Sequence, residues 1–247
     1  MMSSTEILFR EDSYLREAEA TVIGVTDTGG LLLDRTIFYA ASGGQPGDTG
    51  RIVSESDASV DIASTVTGAT KDEIVHVPAP GVPALTVGDR VRLAIDWERR
   101  YRLMRMHTAC HILTVVCSYP ITGAAVAEDD SRVDFDIPDA GLDKETVTRR
   151  LMELVEADHP VFTRWITDAE LAANPGLVKS KHVRPPTGTG RIRLVCIGEG
   201  EGVDSQPCGG THVRRTSEVG QIHIGKIEKK GRENRRFRLR FGPLPAN

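Results

Sequence analysis

The chain has 247 residues and a formal net charge of −4, with 39% hydrophobic and 27% charged residues. This is the balance of an ordinary globular protein with room for a sizeable core. It excludes a polycation, so any nucleic-acid contact has to rest on a local basic patch.

The N-terminal MMSSTEILFREDSYLREAEA has neither an apolar core nor a cleavage pattern, and secretion is not expected. No run approaches the roughly 20 apolar residues of a membrane span. Four cysteines, Cys110, Cys117, Cys196 and Cys208, are too few for a disulfide scaffold of this size. They point to a reducing cytoplasm and to thiols that are reduced or metal-bound.

Over residues 1–96 short strand-like runs alternate with turn signals. Leu31, Leu32 and Leu33 follow Thr28-Gly29-Gly30, and SGGQPGDTG at 42–50 is a Gly/Pro/Asp loop. Residues 54–72 are polar and weakly patterned. Val91, Leu93, Ile95 and Trp97 alternate with Arg92, Ala94 and Asp96, the period of a half-buried strand. A helical pattern is expected in this part only over residues 11–19. The segment reads as a small β-barrel or sandwich.

After Trp97 the period changes. Leu103, Met106, Cys110, Leu113 and Cys117 recur at three or four residues and mark one helix face. A second helix is expected from the N-cap Asp143 to Ala157, burying Val147, Leu151, Leu154 and Val155, with Pro160 stopping it. Residues 191–197 and 236–241 alternate as strands, with Phe237, Leu239 and Phe241 facing opposite to the arginines. The whole chain is therefore expected to be α+β, with antiparallel sheets and a few helices, divided into 1–96 and 97–247.

The chemistry concentrates in two short motifs. His107 and His111 form an HxxxH within the first long helix, and positions i and i+4 share a helix face. The zincin peptidases place a glutamate directly after the first histidine; Thr108 stands there, so that reading fails. Cys208 and His212 form a CxxxH around Gly209 and Gly210, glycines expected to let the backbone turn tightly. Three imidazoles and one thiolate suit one zinc ion per chain. Cys110 competes as a ligand from the same helix, but it lies on the apolar stripe and reads as core packing.

The stretches RMHTACHIL (105–113), TGAAVAEDDSRVDFDI (122–137) and SQPCGGTHV (205–213) resemble the editing domain of alanyl-tRNA synthetases. GQIHIGKIEKKGRENRRFRLRF (220–241) resembles the strand pair that follows the CxxxH there, and SGGQPGDTG resembles a motif of the N-terminal barrel in medium-length freestanding editing proteins, the AlaX type. The chain begins at its own Met and shows no aminoacylation core, which fits the freestanding type. The resemblance implies a β-barrel domain over 1–96 and a zinc-dependent editing domain over 97–247. It implies hydrolysis of serine, or glycine, from mischarged alanine tRNA in the cytoplasm. It also implies that Gly43, Gly44, Gln45 and Asp48 help keep the correct alanine ester out; otherwise the loop is a plain hairpin turn of the barrel.

Around the ligands, Gln206 is a candidate to orient substrate or water, or else an ordinary loop residue. Thr108 and Thr211 offer hydroxyl contacts to substrate, or brace the ligands and backbone. Basic residues cluster at Arg99, Arg100, Arg102 and Arg105, and at Lys226, Lys229, Lys230, Arg232, Arg235, Arg236, Arg238 and Arg240. With tRNA as partner, Arg99, Arg100, Lys229, Lys230, Arg232, Arg235, Arg236 and Arg238 are expected on its phosphates; otherwise they form a solvated strand face. Two further functions stay open: a metal-dependent hydrolase of another ester, and a zinc-stabilised RNA-binding module without catalysis.

Overall fold

The structure is a computed structural model that describes residues 5–70, 72–81, 85–137, 141–185 and 190–245. The fold is mixed α+β, as the sequence suggests. It divides into two compact units, Met1–Tyr101 and Arg102–Asn247. The expected boundary after residue 96 coincides with the start of helix α1 (Trp97–Val116), whereas the units divide inside that helix.

In the first unit β1 (Glu6–Ile7) pairs in parallel with β4 (Arg35–Thr36). The strands β2 (Glu17–Val25), β3 (Leu31–Leu33), β5 (Gly50–Ser54), β6 (Ser59–Thr67), β7 (Ile74–Pro78) and β8 (Arg90–Ile95) close into an antiparallel barrel ordered β2-β3-β7-β6-β5-β8. The alternation expected over 91–97 is β8 as far as Ile95, with Val91, Leu93 and Ile95 buried and Arg90 and Arg92 exposed, but Trp97 opens helix α1 instead of continuing the strand. Leu33, Ile52, Val60 and Ile62 fill the same interior.

Two local expectations fail here. Residues 11–19 hold no helix; a single 3-10 turn at Leu8–Arg10 precedes β2, which begins at Glu17. Ala20 and Val22 point inward, so period two governs the strand into which that segment leads. The unpatterned residues 54–72 contain β6, whose alternation is interrupted by a register shift between Ile62 and Ser64. Beyond the shift the inward position is Thr65, fully buried, and a hydroxyl there conceals the apolar pattern.

In the second unit β9 (Ile121–Ala125), β10 (Asp130–Asp136), β14 (Ile222–Lys229) and β15 (Asn234–Phe241) form an antiparallel sheet ordered β14-β15-β10-β9. A second antiparallel sheet is β11 (Val161–Ile166), β12 (Ile192–Ile197) and β13 (Asp204–Pro207). Helix α2 (Lys144–Glu156) starts where expected: the Asp143 side chain accepts from the Thr146 amide at 2.8 Å. Val147, Leu151 and Val155 are buried and Leu154 is half-buried. The helix ends before Pro160, as the backbone turns at Asp158 with φ of +52°. A short helix α3 (Asp168–Ala173) carries a capping box between Thr167 and Glu170.

Helix α1 starts with the Asp96 carboxylate accepting from the Arg99 amide at 3.1 Å. It is not the one-sided helix that the stripe suggests: Leu103, Met104, Met106, Ala109, Ile112 and Leu113 are all fully buried, on several faces. Such a helix belongs to the core. β12 is likewise buried at every position instead of alternating, Arg193 included. Among the described residues, no helix is long and apolar enough to cross a membrane.

Candidate metal centre

α1 holds His107 and His111 one turn apart, each 6% exposed, with ring centroids 5.2 Å apart. The loop after β13 brings Cys208 and His212 to the same place. The His212 ring lies 4.3 Å from that of His107 and 4.5 Å from that of His111. One ligand atom from each of the four residues lies within 4.8 Å of the others, so the group can hold a metal ion. Cys208 Sγ sits 3.5 Å from Nε2 of His107 and 3.5 Å from Nε2 of His212. The edges of a tetrahedron with zinc-ligand bonds of about 2.0–2.3 Å are about 3.3–3.8 Å long, so these separations fit that ion.

The glycines of the CxxxH do not turn the loop through a left-handed backbone. Neither Gly209 nor Gly210 takes a positive φ, and a Cβ on Gly209 would meet nothing within 4 Å. The loop is shaped instead by Arg193, whose Nη1 donates to the carbonyls of Cys208 and Gly210, at 2.9 Å each. The Gly210 amide then donates to Cys208 Sγ at 3.3 Å, an interaction that favours the thiolate.

Electrostatics prepare the same groups. Burial alone pushes the Cys208 thiol up, but His107, by charge and hydrogen bond, with His111 and His212, pulls it well below its usual range. Burial, then the charges of His107 and His111, hold His212 well below the usual imidazole value. Burial also pulls His111 down, yet Asp204 and Cys208 outweigh it and raise it to about 9. Cys110 is different: burial pushes its thiol up to about 12, and it stands outside the ligand group as core packing.

Around the ligands, fully buried Thr108 places Oγ1 3.1 Å from His212 Nδ1 and accepts from the Val213 amide at 3.3 Å. It braces the histidine and the backbone that follows it; Thr211 is also fully buried. Gln206 is buried beside the ligands: its Nε2 donates to Asp204 Oδ2 at 2.7 Å and to Thr114 Oγ1 at 3.3 Å. The sequence alone does not single out Arg193, Asp204, Thr114 and Lys179. The signal that exists is a single arginine in the apolar run 192–197, and Asp204 sharing the strand parity of Gln206 and Cys208.

The Gly-rich loop belongs to the first unit. Ser42 and Gln45 exchange backbone hydrogen bonds around Gly43 and Gly44, whose φ values of +56° and +85° are those of a tight hairpin turn. Gln45 and Asp48 are buried, against the expectation of polar atoms offered to a substrate. Asp48 forms a fully buried ion pair with Arg100, whose other donors reach the carbonyls of Ser13 and Ile37 at 2.9 and 2.7 Å. Arg100 is therefore removed from the RNA contacts: with no exposed surface it cannot meet a phosphate. Arg99 donates to the Gly47 carbonyl at 2.8 Å, and a Cβ on Gly47 would fall 1.9 Å from the Thr65 carbonyl oxygen.

The tail is also more committed than its charge suggests. Arg236 holds Asp134 with two bonds of 2.8 and 2.9 Å, and Arg238 bridges Glu228 at 2.6 Å and Asp130 at 3.1 Å. Against burial, Arg240 and then Arg238 hold Asp130 below its usual range, and Lys230 with Arg238 holds Glu228 at about 2. Arg235 donates to backbone carbonyls of its own turn. Lys229, Lys230 and Arg232 stand exposed at the β14–β15 turn, Lys230 paired with Glu228 at 2.7 Å.

Comparison with known proteins agrees with this geometry. Residues 192–238 match the family described as "Threonyl and Alanyl tRNA synthetase second additional domain", and residues 5–99 match "tRNA synthetases class II (A)". An alanyl-tRNA editing protein AlaX-M of Methanosarcina acetivorans is 39% identical over 94% of this chain and 97% of its own. That of Saccharolobus solfataricus is 31% identical over the same shares. An alanine–tRNA ligase of Pyrobaculum calidifontis is 36% identical over 97% of this chain but only 27% of the ligase. A buried His/Cys group on the expected helix and loop, together with relatives matched almost end to end, shows that the chain belongs to the AlaX-M family of alanyl-tRNA editing proteins.

Proposed function

We propose that this protein is a cytoplasmic trans-editing hydrolase that removes serine, or glycine, from mischarged alanine tRNA. The observation that carries the reading is the convergence of His107, His111, Cys208 and His212 on one point, in a chain matched over nearly its full length by editing proteins. These four residues would hold one zinc ion per chain. When bound, zinc supplies a Lewis acid for the ester carbonyl.

The protein's own residues supply the frame. Thr108 fixes His212, Arg193 fixes the Cys208 loop, and the buried surroundings limit water around the ligands. The phosphates of the tRNA fall to the exposed turn of Lys229, Lys230 and Arg232. The Gly43–Gly44 tip, exposed in its own unit, is assigned to telling serine from alanine on the strength of the sequence resemblance. An apolar pocket rejects an added hydroxyl weakly, whereas a site that hydrogen-bonds it discriminates by roughly 10⁴ or more.

One observation favours a second reading. If all four side chains ligate, the metal shell is closed, as in a structural site. The protein would then be a zinc-stabilised RNA-binding module. Incubation with serine-, glycine- and alanine-charged alanine tRNA separates the two. Loss of the serine ester above the uncatalysed rate supports editing, and binding without turnover supports the module.

A further inference from the structure

The Asp204 carboxylate lies beside the ligand group, and its side chain is 1% exposed. Its Oδ1 is paired with Lys179, and its Oδ2 accepts from Gln206 Nε2 at 2.7 Å. Lys179 also donates to Thr114 Oγ1 at 3.1 Å, and Thr114 in turn donates to the His111 carbonyl at 2.7 Å. Lys179, Gln206 and Thr114 thus fix the carboxylate against α1, one turn beyond its first histidine.

His111 lies opposite. Its Nδ1 is buried without a hydrogen-bond partner and sits 3.6 Å from Asp204 Oδ2, the distance of an ion pair rather than a hydrogen bond. A carboxylate offers about four acceptor positions, so Oδ2 has room for a second donor. An unmet ring nitrogen therefore faces a partly used acceptor, and a movement of about 0.6 Å closes the pair to ordinary hydrogen-bond length. The cluster side of the ring is then left to Nε2, the same atom that His107 and His212 turn toward Cys208.

We propose that Asp204 is a positioning residue for the metal centre: it accepts a hydrogen bond from His111 Nδ1–H, so that Nε2 of His111 faces the metal. Lys179 and Gln206 hold the carboxylate for this purpose. A Lys–Asp pair serving the fold alone gives no reason for Oδ2 to face an unpartnered ligand nitrogen. Partners of this kind fix the tautomer and orientation of a ligating histidine, and losing one costs about 10–100-fold in metal affinity. The inference rests on the metal reading above, and its test is arranged to tell the two apart.

The experiment uses the full chain with histidine labelled by nitrogen-15, loaded with zinc, and a chelator competition for zinc in wild type and Asp204→Asn. The wild-type spectrum should show His111 carrying its proton on Nδ1, slow to exchange with solvent, with Nε2 ligated. Asp204→Asn preserves size and should bind zinc about 10–100-fold more weakly, with an unchanged circular dichroism spectrum. If the substituted chain does not fold, the wild-type tautomer decides. Zinc on His111 Nδ1, a rapidly exchanging Nδ1 proton, or unchanged affinity in folded Asp204→Asn overturns the proposal and leaves the metal reading standing. A wild type that takes up no zinc overturns both.

Discussion

Arg193 holds the carbonyls of Cys208 and Gly210 with one nitrogen, 2.9 Å from each. A guanidinium buried in a central strand thus braces the ligand loop. Arg193→Met removes both charge-assisted bonds and leaves two carbonyls unsatisfied, a loss of about 3 kcal/mol. Urea unfolding should show that loss, and chelator competition should show weaker zinc retention. Equal stability and equal retention would return the loop geometry to the glycines.

The barrel carries a pH-dependent element remote in sequence from the ligands. His76 is fully buried; its Nδ1 donates to the Leu31 carbonyl at 3.0 Å, and its Nε2 accepts from Thr36 Oγ1 at 2.7 Å. Burial lowers its pKa to about 4, against the opposing effect of the Leu31 bond. Below about pH 6.5 the unfolded chain takes up a proton that the folded chain refuses, so stability falls as pH drops from about 6.5 to about 4. The full loss is about 3 kcal/mol. Urea titrations at several pH values on wild type and His76→Asn check this. The variant should lose that part of the slope, and identical slopes would contradict it.

The Gly-rich loop separates into an anchor and a tip. Asp48→Ala leaves Arg100 buried and unpaired and should cost about 3–5 kcal/mol. Gly43→Ala with Gly44→Ala imposes side chains on two positive-φ positions, about 1 kcal/mol each, and leaves the anchor intact. The double variant should stay folded with its zinc, yet remove serine more slowly or begin to cleave alanine. Unaltered rates on serine, glycine and alanine esters would confine the tip to a structural role.

For the RNA surface, Lys229→Glu with Arg232→Glu is the informative reversal, because Arg236 and Arg238 are tied to Asp134, Glu228 and Asp130. Binding of alanine tRNA should weaken, and the slope of log K against log salt should shrink by about 1 for each phosphate that is no longer neutralised. Unchanged affinity and slope would exclude the β14–β15 turn as the RNA-binding surface.

What the sequence disclosed follows from where its signals are local. The ligand spacing on α1, the Asp143 cap and the alternation of β8 are short-range patterns, and each stands in the structure as expected. The burial of Arg100 is hidden in the sequence because its partner Asp48 lies 52 residues away, and its charge therefore reads as surface. Strand β6 is hidden by Thr65 taking an inward place and by a register shift. Asp204 and Lys179 are hidden because their meaning arises only when β13 and the segment after α3 meet α1.

The most direct measurement is deacylation of serine-charged alanine tRNA by the full chain, with zinc content determined on the same preparation. The account predicts about one zinc per chain and rapid loss of the serine ester. Alanine should be released far more slowly, and turnover should vanish in His107→Ala and Cys208→Ala. A zinc-loaded protein that binds the charged tRNA and leaves the serine ester to decay at its uncatalysed rate would contradict it.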